Sequence, residues 1–336
     1  MNSGEAEQIA TLIIDRVRLC GLAMEGSVLA TEAATNAYAS TSAGAVLAGA
    51  DVWAYAQDSR FGSAESAVDD VLQLVELTGG DERRIQFTGS REEVAWSETD
   101  IVTNSGFMRP IASSDIARMK AGSVIALMYE AWEARSGDID FQAAERAGVE
   151  VVGVNERHPM CGAFEFVGDL ALVALKRRGW LKSEQRILIL SDNKFADPLL
   201  RSLRSVSEVV DLVAPGGDPQ RADVVVVAVT PPLVPGGLGP EVVTESVLST
   251  GASRAVQLWG DLDRSALVKA GVSLEPLQSP VPGHQGIGMS EAGHEAVVRL
   301  QVAGIAAAVH REAEYGSPHF GLAQRGVGQR AASGVS

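Results

Sequence analysis

The sequence predicts an α/β protein built from two parallel-sheet domains joined by two long helices. Three observations carry this. The 336 residues are enough for two domains of ordinary size, and 46% of them are hydrophobic, enough to fill two cores. Glycine is abundant, at 35 residues, while aromatics make up only 5%; that balance suits many tight strand–helix turns better than an all-β sandwich. Short β-branched runs alternate with amphipathic helical patterns along most of the chain, the rhythm of parallel strands covered on both faces.

The elements follow in order. Ile9, Leu12, Ile13 and Val17 space an amphipathic helix over 5–20. A strand over 27–31 precedes an Ala-rich helix over 36–50 and a strand over 51–56. The helix over 64–80 is stopped by two glycines. Strands are expected over 84–89, 100–106 and 123–129, with a helix over 113–122 between the last two. A helix over 140–148 ends on a glycine and leads into a strand over 149–154. A longer helix over 163–180 then presents Phe164, Val167, Leu170, Ala171, Ala174 and Leu175 on one face.

A second series begins with a strand over 186–190, a helix over 195–205, and strands over 208–213 and 222–229. A Pro/Gly-rich loop leads to a strand over 254–260 and a segment over 270–277, and a final helix runs from Ser290 to Glu314. Both domains are therefore expected to be Rossmann-like. The expected boundaries are 1–160 for the first α/β domain, 161–184 for the first interdomain helix and 185–289 for the second domain. The second interdomain helix takes 290–314, and a flexible tail takes 315–336. Two sheets joined by two helices imply a hinged cleft, where small ligands bind.

Charge and composition narrow the function. The net charge is −15 with no basic cluster, which argues against nucleic acid, because phosphate binding needs concentrated Lys and Arg. The N-terminal stretch lacks the basic and apolar regions of a signal peptide, and no apolar run approaches a membrane span. A cytoplasmic protein is expected. Cys20 and Cys161 form no CxxC and read as buried, inert thiols. No third ligand backs His284 and His294, so no metal site is expected, and no GxSxG is present.

Several stretches, taken together, resemble the D-isomer-specific 2-hydroxyacid dehydrogenase superfamily. Residues 137–156 are similar to the turn, helix and buried strand that close its substrate domain, and 162–180 to its first interdomain helix. Residues 221–232 and 247–267 are similar to later units of its cofactor domain, and 279–292, "SPVPGHQGIGMSEA", to its catalytic-histidine loop. The likeness spans roughly residues 80–312. It implies a substrate domain over 1–160, a cofactor-type domain over 185–289, and NAD or NADP as cofactor. It further implies a small-molecule substrate in the cleft and a homodimer. His284 would be the acid/base, oriented by Glu275. Cofactor contacts would fall on Ser191, Asn193, Lys194, Thr230 and Trp259.

Two departures cut against hydride transfer. The family's glycine-rich diphosphate turn is replaced by Ser191-Asp192-Asn193-Lys194-Phe195, and Asp192 would repel a diphosphate. At the end of strand 254–260 the family's arginine is missing, and the nearby Arg264 belongs to the following helix. Two readings therefore stay open: an NAD(P)-linked oxidoreductase, or a redox-inactive member serving as a non-redox catalyst or in a binding or regulatory role.

The substrate side offers further candidates. Asn104, Ser105 and Arg109 follow a strand at the sheet end where α/β ligands bind; the alternative is an ordinary polar turn. The loop 129–138 holds Tyr129, Glu130, Trp132 and Glu133, suited to a cationic or hydroxyl-rich substrate with Trp132 as a stacking platform. Arg157 and His158 either line the cleft or stiffen a hinge turn with Pro159, and His284 is alternatively a turn histidine bonding backbone carbonyls.

Overall fold

The computed structural model describes residues 1–182, 184–218 and 220–325. The chain forms two compact units: residues 1–163 with the chain from His294 onward, and Phe164–Gly293. Each is α/β with its own sheet, as the sequence predicts.

In the first unit, α1 (Ser3–Leu19) starts on a capping box between Asn2 and Glu5 and buries Ile9, Ile13 and Val17. The β/α series then runs β1 (Val28–Glu32), α2 (Ser40–Leu47), β2 (Asp51–Tyr55), α3 (Ala64–Thr78) and β3 (Ile85–Thr88). It continues with β4 (Ile101–Thr103), α4 (Ser113–Ile116), β5 (Val124–Ala126), α5 (Phe141–Ala147) and β6 (Glu150–Val154). The helix expected over 113–122 is a single turn. Asp115 turns its carboxylate back to the Ala112 N–H and to Arg91. Gly122 then takes a left-handed φ of 80° and donates to the Gly148 carbonyl.

The second unit opens with α6 (Phe166–Arg177), β7 (Arg186–Ser191), α7 (Ala196–Arg204), β8 (Val209–Val213) and β9 (Val224–Ala228). It ends with α8 (Pro240–Ser249), β10 (Arg254–Trp259), α9 (Arg264–Lys269) and β11 (Ser273–Glu275). Its five parallel strands run in the order β11-β10-β9-β7-β8. Every residue of β9 is buried, which is why the run Val224–Val227 needs no polar alternation.

The chain returns to the first unit with α10 (His294–Val309) and β12 (Ala323–Arg325). The final helix does not begin at Ser290. Met289–Ala292 form a 3-10 turn, and Gly293 at φ 107° breaks it from α10. The expected flexible tail is also corrected in part: β12 pairs antiparallel with β6, Gln324 opposite Gly153. Asn155 N–H adds a bond to the Leu322 carbonyl, so backbone pairing orders a stretch with little apolar content. Residues 326–336 of that expectation lie outside the described residues. The completed sheet reads β12-β6-β5-β4-β1-β2-β3, parallel except at β12. One face carries a core around Trp96, Met108, Ile111, Ile125 and Leu127.

Candidate functional site

The order of the first sheet reverses at β1 and β4: β2 and β3 lie to one side, β5 and β6 to the other. Loops leaving the carboxyl ends of such a strand pair part in opposite directions, and open α/β sheets bind ligands there. β1 ends on Thr31 and Glu32, and β4 on Thr103 with Asn104 and Ser105 after it. The Thr103 hydroxyl donates to Thr31 Oγ1 at 2.7 Å and lies 2.8 Å from Ser105 Oγ. Phe107 N–H donates to Glu32 Oε2 at 3.2 Å. Burial raises the Glu32 pKa; the Phe107 N–H and the charge of Arg109 oppose this. Such a carboxyl is suited to exchanging a proton in milder conditions than an exposed one.

From β4 the polar array continues to the loop after β5. Asn104, almost fully buried, donates from Nδ2 to the Tyr129 hydroxyl at 2.7 Å, and its Oδ1 accepts no hydrogen bond. Tyr129 in turn donates to Asp138 Oδ2 at 3.0 Å. Arg135 holds the same oxygen from Nη2 at 2.8 Å, and Arg109 Nη1 stands 3.7 Å from it. For Asp138, burial alone would raise the pKa, but Arg135 and then Arg109 outweigh it and the net shift is downward. For Tyr129, burial first and the Asp138 charge second push the phenol up, so it remains a donor across the ordinary pH range. Asn104, Ser105, Arg109 and Tyr129 therefore come together as one polar array. Sequence reasoning missed Glu32, Arg135 and Asp138, which join the array only through strand pairing and loop folding that no local motif marks.

The other residues of the loop do something else. Trp132 Nε1 donates to the Glu130 carboxylate, which fixes the edge of the indole to its own loop. Glu130, Glu133 and Glu156 are buried near one another. Burial, then the charges of Glu133 and Glu130, lift the Glu156 pKa well above the usual range. His158 belongs to a turn: its Nδ1 accepts from Met160 N–H at 3.3 Å and its ring bonds the Phe320 backbone. Arg157 is exposed in the same turn, its N–H on Asn155 Oδ1 at 3.2 Å. Among the described residues no three His, Cys, Asp or Glu side chains are grouped to hold a metal ion, and no helix is long and apolar enough to cross a membrane.

In the second unit His284 turns Nδ1 toward the Pro282 carbonyl at 3.1 Å. Glu275 is buried and engaged by arginines, Arg177 Nη1 at 3.3 Å and Arg178 Nε at 3.8 Å. Arg264 is spent as a clasp, donating to Gln257 Oε1 at 2.7 Å and to the Pro276 and Leu277 carbonyls at 2.6 and 3.1 Å.

The five-stranded order reverses between β7 and β9, so a dinucleotide's diphosphate belongs there. The residues present do not fit it. Asp192 Oδ1 takes the Thr230 N–H at 2.8 Å, the Thr230 hydroxyl at 2.9 Å and Asn193 Nδ2 at 3.0 Å. Asn193 Nδ2 also bonds the Ala228 carbonyl at 2.9 Å, while its Oδ1 accepts from Phe195 N–H at 3.0 Å and lies 3.4 Å from Ser191 Oγ. Lys194 is exposed in the same turn. The buried Phe195 ring lies 5.3 Å from Trp259 and 5.5 Å from Phe164, centroid to centroid, and Trp259 Nε1 donates to the Gly283 carbonyl at 3.3 Å. All five expected cofactor contacts thus fall in one region, but the donors of Asn193, Thr230 and Trp259 are turned on the protein itself.

No family model matches the chain, and no curated protein matches it. Solved structures do. A dipicolinate synthase component from Bacillus halodurans is 10% identical, with a TM-score of 0.54 over 87% of this chain and 99% of that one. An NAD+-bound 3-phosphoglycerate dehydrogenase from Entamoeba histolytica is 12% identical, with a TM-score of 0.48 over 89% and 98%. A glyoxylate reductase from Paecilomyes thermophila is 12% identical, with a TM-score of 0.45 over 72% and 90%. At such identities likeness is one of fold, and this chain shares the fold of the dipicolinate synthase component.

Proposed function

We propose that this chain binds a small polar metabolite at the carboxyl ends of β1 and β4 and works on it without a nicotinamide dinucleotide, as a non-redox catalyst or a binding protein. The observation that carries this is the Asn104–Tyr129–Asp138 relay, at the sheet's switch point with Glu32 on the neighbouring strand end. Two carboxylates and two guanidinium groups in one array suit a ligand bearing both hydroxyl or amino donors and an anionic group. The self-satisfied turn after β7 supports the second half of the reading. A homodimer is proposed with it on the resemblance alone, and a cytoplasmic setting on the reading of the N-terminal stretch and the apolar runs.

The test is a thermal-shift screen with small hydroxy, keto and amino acids. A ligand that stabilises the protein should bind about tenfold more weakly to Asn104→Ala and Tyr129→Phe, the size of one or two lost hydrogen bonds. Unchanged binding in both variants would remove the ligand from this site. NADH and NADPH at millimolar concentration should leave the melting temperature unchanged. A saturable shift would restore the NAD(P)-linked oxidoreductase reading, with His284 as its acid/base.

A further inference from the structure

In an open sheet of order 2-1-3-4-5 the crevice between the first and third strands is where an anionic ligand binds. Here those strands are β7 and β9. The turn after β7 usually leaves backbone N–H groups and small residues free for a diphosphate. In this chain one side chain of that turn draws the donors inward. Asp192 Oδ1 accepts three hydrogen bonds, two from Thr230 just beyond β9 and one from the neighbouring Asn193. Asn193 in turn caps the Phe195 N–H ahead of α7. Phe195 and Trp259 pack behind the turn as buried rings.

We propose that Asp192 is a built-in anion: its carboxylate occupies the place of a phosphate group and locks β7 to β9. The inference rests on the reading that the second unit takes no dinucleotide, and adds what stands in its place. Charged acceptors form stronger hydrogen bonds than neutral ones, so one carboxylate oxygen can satisfy both Thr230 donors. The lock has a chemical signature. Wild-type protein has no use for an external anion at this crevice. A protein without the Asp192 carboxylate keeps the Thr230 N–H and hydroxyl and regains a use for one.

The experiment is chemical rescue on the full chain. Asp192→Ala should melt about 5 °C below wild type, the shift expected when a few hydrogen bonds are lost from a domain of this size. Inorganic phosphate at tens of millimolar, with ionic strength held constant by sodium chloride, should recover at least half of that loss and leave wild type unmoved. Should Asp192→Ala not fold, Asp192→Ser takes its place with the same readout. Phosphate acting equally on wild type and variant, or on neither, overturns the proposal. An NADH titration of wild type separates the two ideas. Saturable NADH binding would overturn the reading beneath, whereas a wild type blind to NADH beside a variant blind to phosphate would overturn the built-in anion alone.

Discussion

Gly106 has no room for a side chain because Glu32 lies over it. A Cβ built on Gly106 would stand 1.5 Å from Glu32 Oε2, and the backbone there has a φ of +39°. Gly106→Ala must therefore strain the backbone and push the carboxylate off the Phe107 N–H. The expected cost is about 1–3 kcal/mol of stability, the scale of a non-glycine residue held in the left-handed region. In a Glu32→Ala background only the backbone part remains, so the cost should shrink. Urea denaturation of the two singles and the double gives the coupling directly; fully additive losses would mean that Glu32 does not need the glycine. The same pair shows what a sequence reveals at this scale. Asn104, Ser105 and Arg109 were legible because they follow a strand in one continuous stretch. Glu32 was not, because nothing local says that β1 lies beside β4 rather than beside any other strand.

Long, strongly periodic elements such as α1, α3 and α6 were legible, since their apolar spacing is their burial pattern. Short ones were not. α4 shrank to one turn, α8 went unmarked despite Pro240 at its first position, and β12 emerged from a stretch read as tail. What holds the stretch before β12 is a histidine cluster. His310 and His319 stack at 3.7 Å between centroids, each Nε2 on the Cys20 carbonyl, at 3.1 and 2.9 Å. Burial, then the neighbouring His319, lowers the pKa of His310; burial, then His319 again, lowers that of His158. A lowered folded pKa means that the folded state prefers the neutral ring. That contribution is complete above the unfolded value of about 6.5 and is lost as pH falls below it, because the unfolded chain takes the proton first. Glu32 and Glu156 run the other way: their raised pKa values favour the fold at low pH and cost stability as pH rises. The histidine part is isolated by difference. Between pH 7 and 5 the melting temperature of His310→Asn should fall less than that of wild type. Parallel curves would mean that the cluster does not titrate with folding.

At the scale of the whole chain, the strand–helix alternation told how many sheets to expect but not which segment completes which. α10 follows the second sheet in sequence, yet it belongs with the first, against α1, α2, β5 and β6. The reason is apolar surface on nearly every side: eleven of its sixteen residues are buried, including Val297, Val298, Val302 and Ile305 at 0% exposure. A Cβ added at Gly304 would stand 2.8 Å from Met128 Sδ on the loop after β5, so only glycine lets the helix pack this closely there. Burying a valine or isoleucine contributes about 1.5–3 kcal/mol, so these four together account for roughly 6–12 kcal/mol. A whole domain is stable by only about 5–15 kcal/mol. The first unit is therefore discontinuous in sequence and dependent on its last helix, while the second is one unbroken stretch with its own core around Leu188, Val225, Val227 and Val247. Two fragments test this. Residues 164–293 alone should give a cooperative thermal transition by circular dichroism, since among the described residues they hold all five strands of that sheet and the core cluster around Val225 and Val227. Residues 1–163 alone should lack a cooperative transition, and should recover one when residues 294–336 are joined to them by a flexible linker. A cooperative melt of 1–163 without that helix would show that the first sheet is stable without α10, and would place the helix's apolar surface outside the energy that holds the fold.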